Sequence, residues 1–282
     1  MKTKVLCAFL SMSVALFTGC SNDSENEAEQ ALIPVEEVEL DLQSEFISDQ
    51  LDDIAEAVSA DEVVSAKAES AEKPALPECV VVTTTAEGGL ITRVVDFGAG
   101  CTLANGLEYS GKLIMLIARD HELRKAEIVV ETEDFFVNDL AVTGRKEITR
   151  TWPESLTLGN PESVVSTELR IEHPAGVHAE VTGTTTREWI EGYGSGTWGD
   201  NVVLIGGDRT VKTYLNEVLV KTYQATITEK LRREWACRFI VSGVMDISKN
   251  VFSASLDFGD GNCDNKAMLI TEAGVSREIV LR

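Results

Sequence analysis

From residue 77 onward the sequence predicts an all-β fold, an antiparallel meander that forms a sandwich or half-barrel. Three observations carry that reading. Apolar and polar residues alternate with period two over long runs. Glycine-, asparagine- and proline-rich turns punctuate those runs. Four cysteines lie at the open ends of two hairpins.

The elements ahead of the sheet come first. Lys2 and Lys4 make a positive start, and Val5 to Phe17 is an apolar stretch. It is shorter than the ~20 residues a membrane-spanning helix needs, but it suits a secretory signal. Thr18-Gly19-Cys20 follows, with small residues before a thiol that acylation requires. Residues 1–19 therefore read as a lipoprotein signal peptide, and Cys20 as the lipidated first residue of the mature chain. Palmitate-type acyl chains on Cys20 are the expected link to the membrane, and stable anchoring needs more than one chain.

Residues 20–76 read as an acidic tether. The whole chain carries a formal charge of −22, with 47 acidic against 25 basic residues. The acids crowd toward the start of the mature chain, where Lys67 and Lys73 are the only bases before Cys79. Such a segment is expected to be a solvated, self-repelling spacer. One short helix is expected within it, with Ser44 as its cap and Ile47, Leu51, Ile54 and Val58 as an apolar stripe at helical period. Removing a spacer of this kind should change the domain's stability little. The acidity also argues against a nucleic-acid partner, because phosphate binding needs a basic footprint.

The β domain spans residues 77–282. Cys79 opens an apolar strand, Gly88-Gly89 turns it, and Leu90 to Phe97 returns, which leaves Cys101 just past the strand end. Cys237 and Cys263 stand in the same relation around a turn near Ser248 to Asn250. In an exported chain this spacing favours disulfides Cys79–Cys101 and Cys237–Cys263. A closed barrel would also allow bridges between the two hairpins, and the absence of any C-x-x-C pair argues against zinc. Further along, Cys237, Phe239, Val241, Gly243, Met245 and Ile247 share one face of a strand. Leu140, Val142, Gly144, Lys146 and Ile148 share another. Leu113 to Ala118 is continuously apolar and is expected to be buried on both faces. About a dozen strands and no further helix are expected.

Two patterns repeat. Asp96-Phe97-Gly98 and Asp257-Phe258-Gly259 each close a returning strand before a cysteine. Val-x-Gly recurs at Gly144, Gly183 and Gly243, where a glycine within a strand signals a bulge, a bend or a close neighbour. Together with Ser110-Gly111-Lys112, Glu188 to Gly192 and Cys237 to Gly243, these motifs resemble an uncharacterised family of Bacteroidota lipoproteins over residues 77–282. The chain departs from that pattern at Glu108-Tyr109, where the family often has Arg. The resemblance implies a lipid-anchored extracytoplasmic β protein and supplies no activity. It also implies an outer-membrane location with export to the cell surface, guided by acids such as Asp23, Glu25, Glu27 and Glu29 behind the lipidated cysteine.

Candidate sites are few. Asp257, Asp260, Asn262 and Asp264 form an acidic loop with the oxygen ligands calcium takes, although tight-turn chemistry explains the same residues. Trp189, Tyr193 and Trp198 flank a glycine-rich loop and offer rings for stacking on a sugar or peptide. Ser195 lacks the flanking glycines of a nucleophile elbow. His173 and His178 straddle a turn beside Glu172 and Glu180, and His121 stands alone. No catalytic constellation, metal centre or cofactor follows from these residues. The expectation is a lipid-anchored envelope or cell-surface protein of structural or binding role, with the membrane and a glycan or protein as partners. A glycan-binding accessory lipoprotein and a hydrolase are the alternatives.

Overall fold

A computed structural model describes residues 35–59 and 76–281, apart from 104, 174–175, 194, 196–197 and 250–251. The signal peptide, Cys20 and most of the expected tether lie outside these residues.

The described chain begins with one α-helix, α1 (Val35–Ser59), followed by fourteen strands. These are β1 (Val81–Glu87), β2 (Leu90–Asp96), β3 (Cys101–Thr102), β4 (Glu108–Asp120) and β5 (Lys125–Val137). Next come β6 (Leu140–Thr151), β7 (Glu162–His173), β8 (Val177–Glu191), β9 (Val202–Leu215) and β10 (Val218–Glu234). The series ends with β11 (Ile240–Lys249), β12 (Phe252–Asp260), β13 (Lys266–Thr271) and β14 (Ser276–Val280). Every strand pairs antiparallel with its sequence neighbour, except that β2 skips to β4 and the two-residue β3 joins β4 on the side. The result is one continuous all-β meander whose outer strands, β1 and β14, do not pair with each other.

The sheet is rolled, and α1 lies within its curve. Arg93 on β2 donates to the Val58 carbonyl, while Arg233 on β10 reaches Asp53 at 3.1 Å. Asp53 and Val58 are about 7.5 Å apart along a helix axis. In a flat sheet, the seven pairing steps from β2 to β10 would separate those strands by ~34 Å. Both arginines reach the same helix only because the sheet curls around it, which is the half-barrel form of the expected fold.

Glycines permit the curl at specific points. At Gly144 (φ +134°) a Cβ would sit 2.2 Å from the Glu168 carbonyl oxygen. At Gly243 (φ +110°) it would meet the β10 backbone, and the β11–β12 register shifts between Ser242 and Val244. A side chain at either place would force neighbouring strands apart.

Alternation works as expected along the strands. In β8 the inward Val181, Thr185, Arg187 and Trp189 are buried, while Thr182 and Thr184 face out. Leu113, Met115 and Ile117 are buried, but Ile114 and Leu116 are only half-buried and Ala118 is exposed. That strand therefore has one inner face, and the expectation of burial on both faces is corrected. Disulfides join Cys79 to Cys101 and Cys237 to Cys263, with Cα–Cα distances of 5.7 Å. The Asp-Phe-Gly echo is structural as well. Asp96 Oδ1 accepts from the Gly98 N–H and Asp257 Oδ1 from the Gly259 N–H, each at 2.8 Å, and both phenylalanines are buried.

The tether expectation is corrected for residues 35–59. α1 has 25 residues, starts nine residues before Ser44, and is buried on every face from Leu51 to Ser59. Ser44 is a buried residue inside the helix and not its cap. The helix ends where Arg93 and Arg119 donate to the carbonyls of Val58 and Ser59, the latter at 3.2 Å. Cations suit this end because the last carbonyls lack helical partners and carry the negative end of the helix dipole.

Candidate functional site

The acids of α1 form a stripe. Asp41, Glu45, Asp49, Asp52 and Glu56 recur at spacings of four, four, three and four, with Asp53 alongside. Facing them, the sheet presents lysines and arginines at inward strand positions. Lys221 meets Asp41 at 2.6 Å, and Arg209 pairs with Asp49. Lys146 reaches Asp52 at 2.6 Å and donates to the Ser48 carbonyl at 2.8 Å. Arg187 pairs with Asp53 and lies 3.8 Å from Asp52. Arg150 pairs with Glu56 and donates to the Ser59 hydroxyl at 3.0 Å. Lys146 and Arg187 are fully buried, so each depends on its partner for charge compensation.

This ladder perturbs its own carboxyls. Burial pushes Glu45 up to about 8, against the opposing pull of Arg209. Burial likewise raises Asp41 to about 6, although Lys221 opposes it. Burial also acts to raise Asp49, but there Arg209, Arg187 and Lys146 prevail and hold it below its ordinary value. The consequence for stability follows from the sign. Glu45 titrates higher in the folded chain than its ordinary 4.5, so its contribution is complete below that pH and is lost as pH rises through about 8. Over that window the protein is expected to lose up to about 1.4 kcal/mol per pH unit from this group. Glu45→Gln should flatten the decline. Urea midpoints at pH 5 and pH 8 check it, and an unchanged slope in the variant contradicts it.

Beside the ladder lies a cavity of about 320 Å³. Leu42, Glu45, Phe46 and Asp49 of α1 form one wall. Ile205, Ala225, Ile227, Leu231, Met245 and Phe258 supply most of the apolar remainder. Arg209 and Arg233 line it while bound to Asp49 and Asp53. Arg238 is exposed on the cavity wall, 5.8 Å from the Phe46 ring centroid and 5.2 Å from that of Phe239. Glu45 Oε1 and Arg209 Nε have no hydrogen-bond partner among the described residues. The volume falls within the usual range of small-molecule pockets, roughly 300–1,000 Å³.

The residues singled out by sequence fare differently. Trp189 is buried, stacked on Trp235 at 6.3 Å and covered by Arg150 at 5.3 Å. Tyr193 meets it edge-on at 5.7 Å. Of the three rings expected to stack on a ligand, Trp189 is placed in the core: alternation turns it inward with Arg187, beneath the helix. Trp198 opens a three-residue 3-10 turn. The oxygens of the acidic loop serve its own turns. Asp260 accepts from Asn262 at 2.9 Å, and Asp264 accepts from the Lys266 N–H at 3.0 Å. Among the described residues no three His, Cys, Asp or Glu side chains gather as a metal site. His178 is buried against the Tyr214 ring at 4.7 Å, and Glu180 accepts from the Tyr214 hydroxyl.

Sequence reasoning missed the ladder and the cavity. A signal for the ladder was present in the acid spacing on α1, and in Lys146 on an otherwise apolar strand face. No comparable signal marks the cavity, whose walls come from seven separated elements. No family model matches the chain, and no curated protein or solved structure is significantly similar to it.

Proposed function

We propose that the protein is a lipid-anchored envelope protein that binds a small ligand in the cavity between α1 and strands β9 to β12. The cavity carries this reading. Its walls are largely apolar, and Asp49, Asp53, Arg209 and Arg233 on those walls are tied to one another as ion pairs. Such a site suits holding a molecule rather than transforming it. A screen of lipids, polysaccharides and a hydrolase panel on the mature protein tests it. Binding that disappears when Ile227→Trp fills the cavity supports the proposal, and turnover of any hydrolase substrate overturns it.

The anchor is part of the same proposal. Cys20 carries the lipid, the chain sits in the outer membrane, and the acids after Cys20 direct it to the cell surface. Support comes from the apolar leader, the Thr-Gly-Cys junction and the acid spacing. No described helix is long and apolar enough to cross a membrane. Cys20→Ala should abolish palmitate labelling and membrane fractionation. A variant that still labels and still sediments with membranes refutes the anchor, and resistance of the wild type to protease on intact cells refutes surface exposure.

A further inference from the structure

We infer that the cavity selects an amphiphile with an anionic head and a single apolar tail, the head resting at Arg238 and the tail lying among Ile227, Leu231, Met245 and Phe258. This rests on the reading that the cavity binds a ligand, and it names the ligand's chemistry.

Three observations converge. The first is Arg238. Among the described residues its guanidinium has two aromatic rings beside it and no carboxylate within ion-pair distance. Arginine in that setting keeps its charge and its planar donor fork, which match a carboxylate or phosphate. The aromatic faces fix the guanidinium by cation–π attraction without neutralising it. The second is the charge balance inside the curve. Four arginines (Arg187, Arg209, Arg233 and Arg238) line the cavity with four acids (Glu45, Asp49, Asp53 and Asp208), and burial keeps Glu45 protonated near neutral pH. The described lining of the cavity is therefore net positive in a protein whose total charge is −22. That contrast favours an anion at the cavity over the outer surface. The third is Glu45 itself. It is 5% exposed, it lines the cavity, and its Oε1 lacks a partner among the described residues. A neutral carboxyl there supplies a hydrogen bond to a polar atom of the head without repelling its charge.

The apolar residues set the other half of the specificity. A tail enters a wall of aliphatic and aromatic side chains at the cost of little desolvation, and each buried methylene contributes about 0.8 kcal/mol. A sugar would leave its hydroxyls unpaired against that wall, which argues against a glycan in this cavity.

The test compares three probes with one tail: decanoate, decanol and decyltrimethylammonium. The protein is the mature chain with Cys20→Ser, and calorimetry is run below the micellar concentrations. Decanoate should bind at least tenfold more tightly than decanol, and the cationic probe more weakly than either. Arg238→Gln should bring decanoate to the level of decanol and leave the melting temperature unchanged, because the side chain is exposed. Ile227→Trp, checked for folding by circular dichroism, should block all three probes. Equal binding of the three, or an unchanged decanoate affinity in Arg238→Gln, overturns the inference. If the decyl probes fail but another screened ligand binds and Ile227→Trp blocks it, the amphiphile is wrong and the binding site stands. If nothing binds, both are wrong.

Discussion

A chain lacking residues 35–59 is expected to lose cooperative folding. The deletion removes Ile47, Leu51, Ile54 and Val58 from the core, and it strips the inward cations of the sheet of their partners. Removing one partner of a buried ion pair typically costs about 3–5 kcal/mol. Several such losses exceed the roughly 5–15 kcal/mol by which a domain is stable at all. The sheet is too curved to bury Lys146 and Arg187 against anything but α1, so the deleted chain has no compact state that satisfies them. Thermal melting by circular dichroism gives the answer. A cooperative transition within about 10 °C of the full chain would contradict this account and restore the spacer reading of the segment.

Asp53 is the single side chain whose loss should do most damage. It accepts from Arg187 and, at 3.1 Å, from Arg233, so Asp53→Ala takes the carboxylate from the buried Arg233 and leaves Arg187 only Asp52, at 3.8 Å. A loss of about 3–5 kcal/mol is expected, by the same reasoning as for any half-removed buried pair. For a domain of this size each kcal/mol lowers the melting temperature by about 2–4 °C, which gives a fall of roughly 6–20 °C. The exposed pair Lys112–Glu133, at 2.9 Å, is the control. Glu133→Ala should leave the melting temperature nearly unchanged, because water screens the pair. Replacing the whole group with Asp53→Leu, Arg187→Met and Arg233→Met should recover most of the loss, since desolvated ion pairs are often matched by apolar packing. If Asp53→Ala melts within 2 °C of the wild type, the ladder does not hold the helix in place.

The cations also explain why an acidic helix ends up inside. Burying six carboxyls is unfavourable in isolation, and burying lysine and arginine in a sheet is equally so. Five of the carboxyls pair with the cations, Glu45 stays protonated, and the apolar stripe of α1 supplies the hydrophobic gain. The cross-strand order of the cations then sets where the helix lies. Lys221 holds its first half, Arg209 its middle, and Arg150, Arg93 and Arg119 its end. This registry role is the better-attested use of buried charge, and it does not require the pairs to add net stability.

How much of this was legible varies by element. The strands were, because period two is written into most of the long ones: Leu113, Met115 and Ile117 declare an inner face without reference to anything else. The disulfides were, because each pair closes a hairpin whose turn is visible in the same stretch of chain. The helix was legible as a periodic segment, through Ile47, Leu51, Ile54 and Val58. Its place was not. An acidic stripe reads the same whether it faces water or a row of arginines, and water is the commoner neighbour. Trp189 was misjudged for a related reason. Proximity to a glycine-rich loop suggested the surface, whereas strand parity, shared with Arg187, turned it into the core.

Local chemistry thus determined the secondary structure, the hairpin order and the covalent links, because each depends on residues close together in the chain. The curl of the sheet, the capture of α1 and the cavity beside it depend on side chains brought together from β2, β6, β8, β9 and β10. Their spacing in the sequence has no period, and only the folded sheet sets which cation faces which acid. The one long-range clue was Lys146 on an apolar face: a buried charge requires an opposite charge, but only the tertiary structure identified it as Asp52.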